Sequence, residues 1–230
     1  MFFGGYGIYL IFSLPALLLG LWAQYKVKAA FDHYSKVRNF TGLTGAEVAR
    51  RMLDSNGLNN VQIEEVQGFL SDHYDPSKRV LRLSPVVFRT NSLAAAGVAA
   101  HESGHAVQHA EGYTALKFRT AMVPSVQIGS WLGPVIFMLG YFFSSNSLAW
   151  VGVGLFGATA LFALVTLPVE LDATRRAKAW LSTSGVIYNT EMDGVNRVLD
   201  AAALTYVAAA IQAISTVLYY VILLLGRRRD

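Results

Sequence analysis

Four long apolar stretches dominate the hydrophobic pattern of the chain. They cover residues 6–25, 123–143, 148–168 and 204–225, and each has the roughly 20 residues that a helix needs to cross the hydrocarbon core of a bilayer. None of the four carries Asp, Glu, Lys or Arg in its interior. The pattern predicts a mainly α polytopic membrane protein with about four transmembrane helices, which we expect to form a single domain over residues 1–230.

The composition agrees with this prediction. Hydrophobic residues make up 53% of the chain and charged residues only 15%, with a mean hydropathy of +0.39, which is too apolar for an ordinary soluble domain. No basic residue precedes the first stretch and no small-residue cleavage pattern follows it, so we interpret it as a retained anchor. Polar residues dilute the fourth stretch, which leaves open whether it spans the membrane fully.

The basic residues indicate an orientation. They are concentrated in residues 26–122 and 169–203, so the positive-inside rule predicts that both portions are cytoplasmic. We expect the membrane to be the cell membrane. Arg227, Arg228 and Arg229 would then lie on the outer side, against the rule. The basic residues are spread out and not interleaved with aromatic residues, which argues against a nucleic-acid partner.

Local patterns in residues 26–122 predict a small α+β fold. Thr44 and Glu47 have the spacing of a capping box and open a helix. Residues 61–63 indicate a short strand, while residues 69–74 and 79–83 flank a turn sequence and predict a hairpin. The second arm alternates polar with apolar residues, as is typical of an edge strand. The hairpin either binds an extended substrate chain or merely covers its neighbours, and the sequence leaves both open.

The chemistry is concentrated in an H-E-x-x-H motif at residues 101–105, inside an alanine-rich stretch that predicts a helix over residues 92–110. His101 and His105 lie on one face of such a helix, about 40° apart, so both imidazoles can reach one ion. Zn²⁺ suits these ligands, and a catalytic zinc needs three protein ligands and an open position. Glu102 is then placed as a general base. The alternative is a surface helix with scattered polar residues.

The third ligand must be His or a carboxylate, because the chain has no cysteine. The candidates are His33, His73, His109, Glu111, Glu170, Asp172 and Glu191. His109 would extend the histidine series across about 80° of the helix, too far for one ion. We prefer Glu170, because a carboxylate at the end of an apolar stretch needs a partner. That partner is either the metal or one of Arg175 and Arg176. Asp172 is better placed to accept the free N–H of a ligand histidine.

These residues resemble the YugP-like membrane zinc metallopeptidases of bacteria. The matching stretches are QYKV at 24–27, TGLTGAEVAR at 41–50, DHYDP at 72–76, HESGHA at 101–106, LPVE at 167–170 and AAALTYVAA at 201–209. A more distant similarity to the HtpX-type membrane gluzincins implies that Glu170 is the third zinc ligand. In those relatives an aspartate usually follows four residues after the glutamate, where this chain has Thr174.

We therefore expect a zinc-dependent membrane endopeptidase with a zincin-like cytoplasmic portion. Glu102 would take a proton from water and return it to the leaving amine, and His73 is the first candidate for stabilising the oxyanion, ahead of Tyr74, Arg175 and Tyr206. The expected partners are a peptide or protein substrate, membrane proteins among them, and the lipid bilayer. The alternatives are an inactive zinc-bound scaffold and a transporter. The sequence leaves the substrate and the oligomeric state open.

Overall fold

Long helices dominate the computed structural model, which describes residues 2–227. In that part of the chain the helices are α1 (Phe2–Tyr34), α2 (Gly45–Ser55), α3 (Pro85–Arg89), α4 (Leu93–Ala110), α5 (Thr114–Phe142), α6 (Asn146–Thr183) and α7 (Met192–Arg227). The strands are β1 (Gln62–Glu65), β2 (His73–Asp75) and β3 (Val80–Leu83). The prediction of a mainly α protein with a small sheet is confirmed.

Among the described residues, α1, α5, α6 and α7 are the helices long and apolar enough to cross a membrane. Each contains one of the predicted stretches, except that α5 ends one residue before residue 143, so the chain is a multi-pass membrane protein as expected. The helices run well beyond the apolar stretches: the 38-residue α6 is about 57 Å long at 1.5 Å per residue. The basic residues Arg228 and Arg229 lie outside the described residues.

The chain divides into two compact units. One contains Lys117–Pro168 together with parts of α1 and α7, and it holds the predicted apolar stretches except residues 24, 25 and 204. The other consists of Gln24–Leu116 and Val169–Leu204. These bounds lie close to the portions predicted to be outside the membrane, residues 26–122 and 169–203.

The sheet belongs to the second unit, and its strand order is β1-β3-β2. The predicted hairpin is present as the antiparallel pair β2–β3, but the prediction that its second arm is an edge strand is wrong. β1 pairs with β3 on the other side, in parallel, which makes β3 the central strand. The polar position that suggested an edge is Arg82, whose guanidinium pairs with Glu64 of β1 at 3.1 Å and with Asp75 of β2 at 3.0 Å. Ion pairs to both neighbours allow a charged residue at this central position.

Helix α4 is buried between two apolar clusters. On one side lie residues of α2, the sheet and α3, such as Leu53, Leu81 and Val87. On the other lie residues of α6 and α7, such as Leu181 and Leu199. Alanine and glycine along α4 allow these neighbours to pack closely, as expected of a helix with small residues on all sides.

Candidate metal centre

The two motif histidines lie on one buried face of α4. Ser92 caps the N-terminus of the helix, because its hydroxyl accepts a hydrogen bond from the backbone N–H of Ala95 at 3.1 Å. The rings of His101 and His105 meet edge to face, with centroids 4.9 Å apart. Each residue is only 8% exposed. The one-turn spacing therefore directs both imidazoles to the same buried point.

Helix α6 brings Glu170 to that point. Gly104, between the two histidines, faces the backbone of Ala173: a Cβ built on this glycine would lie 3.0 Å from the Ala173 carbonyl oxygen. The missing side chain allows the close approach of the two helices. The Glu170 carboxylate, on a residue 1% exposed, places Oε2 at 3.2 Å from His101 Nε2 and 3.4 Å from His105 Nε2.

These three residues fit a zinc ion. One ligand atom from each of His101, His105 and Glu170 lies within 4.8 Å of the others, and all three residues are buried. Two imidazole nitrogens and one carboxylate oxygen form the ligand set of a catalytic zinc that keeps one position open. A buried carboxylate also needs a cationic partner.

The outer nitrogens of both rings are held by protein groups. His101 Nδ1 lies 3.2 Å from Thr174 Oγ1, and His105 Nδ1 lies 3.0 Å from Gln108 Oε1. These contacts leave the Nε2 atoms to face Glu170. Metal-ligating histidines are usually fixed in this way through the second ring nitrogen.

The electrostatics of the site favour positive charge. Burial opposes the charged form of His105, but hydrogen bonding to Glu170 and the charge of Glu102 outweigh it and raise the pKa of His105. Burial raises the pKa of Glu102, against the lowering effect of His101 and His105. A carboxyl group beside the candidate ligands, with its pKa raised above the ordinary value, holds a proton more readily than an exposed glutamate, as proton transfer requires.

Asp172 contacts a motif histidine not directly, as predicted, but through an intervening residue, Gln108. Its carboxylate accepts from Gln108 Nε2 at 2.9 Å and pairs with Arg176 Nε at 2.5 Å. It also pairs with Arg175. Asp172 therefore reaches His105 through Gln108 and does not accept the histidine N–H itself. The two arginines, which were the alternative partners proposed for Glu170, pair with Asp172 instead.

Among the described residues, the group that the structure brings together at the motif consists of His101, His105 and Glu170 and does not include His73. Its ring contacts the backbone oxygen of Ser71 at 2.8 Å and Arg82 at 3.5 Å. The next residue, Tyr74, directs its hydroxyl to His109 of α4 at 2.9 Å. Because successive strand residues point to opposite faces, His73 points away from α4. Its role at an oxyanion stays a prediction, and the ring of His109 is occupied by the contact with Tyr74.

Sequence reasoning missed Gln108 and identified Thr174 only as a departure from distant relatives. Both had a positional signal. Gln108 follows His105 by three residues and so shares its helix face, and Thr174 follows Glu170 by four. A rule that searches for polar residues one turn beyond each ligand would have found both.

The model of a family described as "Putative neutral zinc metallopeptidase" matches residues 9–225. The chain belongs to this family. It is also 48% identical to "Putative membrane protease YugP" of Bacillus subtilis (strain 168) over 223 residues, which cover 97% of this chain and 99% of the relative. No solved structure matches it. The family resemblance inferred from the motifs is confirmed. The zinc in the family's description agrees with the buried group of His101, His105 and Glu170, which could hold a metal ion.

Proposed function

We propose that the protein is a zinc-dependent membrane endopeptidase in which His101, His105 and Glu170 hold the metal and Glu102 is the general base. The observation that carries this proposal is the convergence of the three ligand atoms within 4.8 Å of one another in a buried site. Glu102 follows directly after one ligand and supplies the proton-transfer group that a hydrolase needs. A binding scaffold would have no use for this carboxylate.

In this mechanism zinc, when bound, polarises the scissile carbonyl and lowers the pKa of water. Glu102 takes the proton from the attacking water and passes it to the nitrogen of the leaving amine. The raised pKa of Glu102 supports this transfer, because burial makes the protonated form of the carboxyl easier to reach than in an exposed glutamate. His73 stays the first candidate for the oxyanion, with Tyr74, Arg175 and Tyr206 as the other candidates.

We further propose that the site acts at the cytoplasmic membrane surface, on unfolded segments or on the juxtamembrane parts of membrane proteins. All the proposed zinc ligands belong to the unit formed by Gln24–Leu116 and Val169–Leu204, whose basic residues favour the cytoplasmic side. Glu170 follows the third apolar stretch by two residues, which favours substrates near the bilayer. An extended substrate would add to the outer strand β2, from which Tyr74 contacts α4.

The test is elemental analysis of zinc in the purified wild type, His105→Ala, Glu170→Ala and Asp172→Ala, alongside cleavage of unfolded casein. We expect one zinc per chain in the wild type, loss of zinc in His105→Ala and Glu170→Ala, and cleavage by the wild type. Zinc retained in full by Glu170→Ala would refute the ligand set.

Glu102→Gln separates the enzyme from the scaffold. It should keep its zinc and lose about 10²–10⁴-fold in cleavage rate, since general acid–base groups contribute on that scale. Cleavage by Glu102→Gln at the wild-type rate would refute the general-base assignment. A transporter is disfavoured because no charged residue lies inside the four apolar stretches.

A further inference from the structure

We propose that Gln108 is a positioning residue of the metal centre: it fixes which ring nitrogen of His105 faces the zinc, and Asp172 holds Gln108 in the orientation that does so. This inference rests on the proposed zinc site. It extends that site to a residue that touches neither the metal nor the substrate.

The orientation of the Gln108 amide follows from its partners. Its nitrogen lies 2.8 Å from the backbone oxygen of Val169 and 2.9 Å from Asp172 Oδ2. A carbonyl oxygen and an ionised carboxylate can only accept hydrogen bonds, so both must receive the two N–H groups of the amide. The amide oxygen is thereby left to face His105 Nδ1, at 3.0 Å. No flipped arrangement satisfies all three contacts.

The direction of the hydrogen bond between Gln108 and His105 determines which ring nitrogen of His105 carries a hydrogen. An amide oxygen only accepts, so His105 Nδ1 must carry a hydrogen. In the neutral imidazole the other nitrogen, Nε2, then carries a lone pair. That is the atom 3.4 Å from Glu170. Gln108 therefore selects the form of His105 that can bind a metal through Nε2.

Burial and a series of ion pairs fix the side chain of Gln108. The residue is 0% exposed, so no solvent competes for its amide. Its partner Asp172 pairs with Arg176, and Arg176 pairs in turn with Glu111 at 2.8 Å. Glu111 is the C-terminal cap of α4, the helix that carries Gln108. The contacts thus run from α4 to α6 and back, and they fix the amide between the two helices.

The experiment measures zinc affinity by competition with a chelating dye on the full chain in detergent. The variants are Gln108→Met, which keeps the length of the side chain but neither donates nor accepts strongly, Asp172→Ala, and the double variant. Ser103→Ala is the matched control, because Ser103 lies on the same helix, is 0% exposed and bonds only the Ala99 carbonyl in the described contacts. We expect Gln108→Met to bind zinc about 10–100-fold more weakly, the usual effect of losing such a partner, and Ser103→Ala to match the wild type.

The double variant distinguishes positioning from simple damage. If Asp172 acts through Gln108, Asp172→Ala weakens zinc binding in the wild type and has no further effect in Gln108→Met. An equal loss in both backgrounds would show that Asp172 acts directly through its charge, and would overturn the proposed link. Thermal unfolding of the metal-free variants measures any general loss of stability. Wild-type zinc affinity in folded Gln108→Met would overturn the role of Gln108, whereas a wild type without zinc would refute the proposed function itself.

Discussion

Replacing Gly104 by alanine would place a methyl group against the backbone of α6. The new Cβ would lie 3.0 Å from the Ala173 oxygen, whereas ordinary contacts of a Cβ begin at 3.4 Å. The helices must therefore separate by about 0.4 Å, the difference of these two values. Glu170 lies three residues before Ala173 on the same helix and would move with it. Metal–ligand distances vary by only about 0.2 Å, so a helix shift of about 0.4 Å would distort the ligand geometry.

We expect Gly104→Ala to weaken zinc binding about tenfold, which corresponds to about 1.4 kcal/mol. The assay is the same chelator competition, with thermal unfolding of the metal-free protein beside it. Alanine favours a helix over glycine by about 1 kcal/mol, so any destabilisation would reflect the contact and not the helix.

Gly97→Ala is the matched control for this prediction. It makes the same substitution in the same helix, but its Cβ would meet Val195 Cγ1 at 3.5 Å, an ordinary contact. We expect Gly97→Ala to keep wild-type zinc affinity and to be at least as stable as the wild type. If Gly104→Ala binds zinc as tightly as Gly97→Ala, the close approach at Gly104 does not set the ligand geometry, and the reasoning fails.

Two further predictions concern contacts of single hydroxyl groups. Thr174→Val keeps the shape of the side chain but loses the contact with His101 Nδ1, so zinc affinity should fall by about tenfold or more; chelator competition would show it, and an unchanged affinity would remove Thr174 from the site. Thr44→Ala removes the capping box of α2 and should cost about 1 kcal/mol of stability, seen as a lower unfolding temperature at neutral pH. The Thr44 hydrogen bonds lower the pKa of Glu47 below its ordinary 4.5, so this carboxylate's contribution is present at neutral pH and is lost as the pH falls through the lowered pKa. The difference between Thr44→Ala and the wild type should therefore shrink in acid, and a difference independent of pH would contradict the assignment.

The features that sequence predicted well depend on local patterns. The spans follow from long apolar stretches without charged residues, and the hairpin follows from a turn sequence between two short arms. The sequence also predicted that Glu170 lies near the motif, although 69 residues separate it from His101. Two crossings of a membrane return the chain to the side it left, which restricts where a distant ligand can lie.

The features that were missed depend on pairing between distant segments. The residues of β3 do not indicate that β1 pairs with it in parallel. Arg82 gives the same polar–apolar alternation in an edge strand as in a central strand whose charged residue has ion pairs on both sides. The orientation of Gln108 depends on Val169 and Asp172, which belong to another helix. No pattern within α4 contains that information.

The separation of the proposed ligands along the chain also bears on biosynthesis. His101 and His105 precede α5, and Glu170 follows both α5 and the apolar stretch of α6. A nascent chain that has left the ribosome only as far as α5 carries two of the three proposed ligands and the proposed general base, but not the carboxylate that completes the group. The order of synthesis thus delays assembly of the proposed zinc-binding group until both intervening apolar segments have been made.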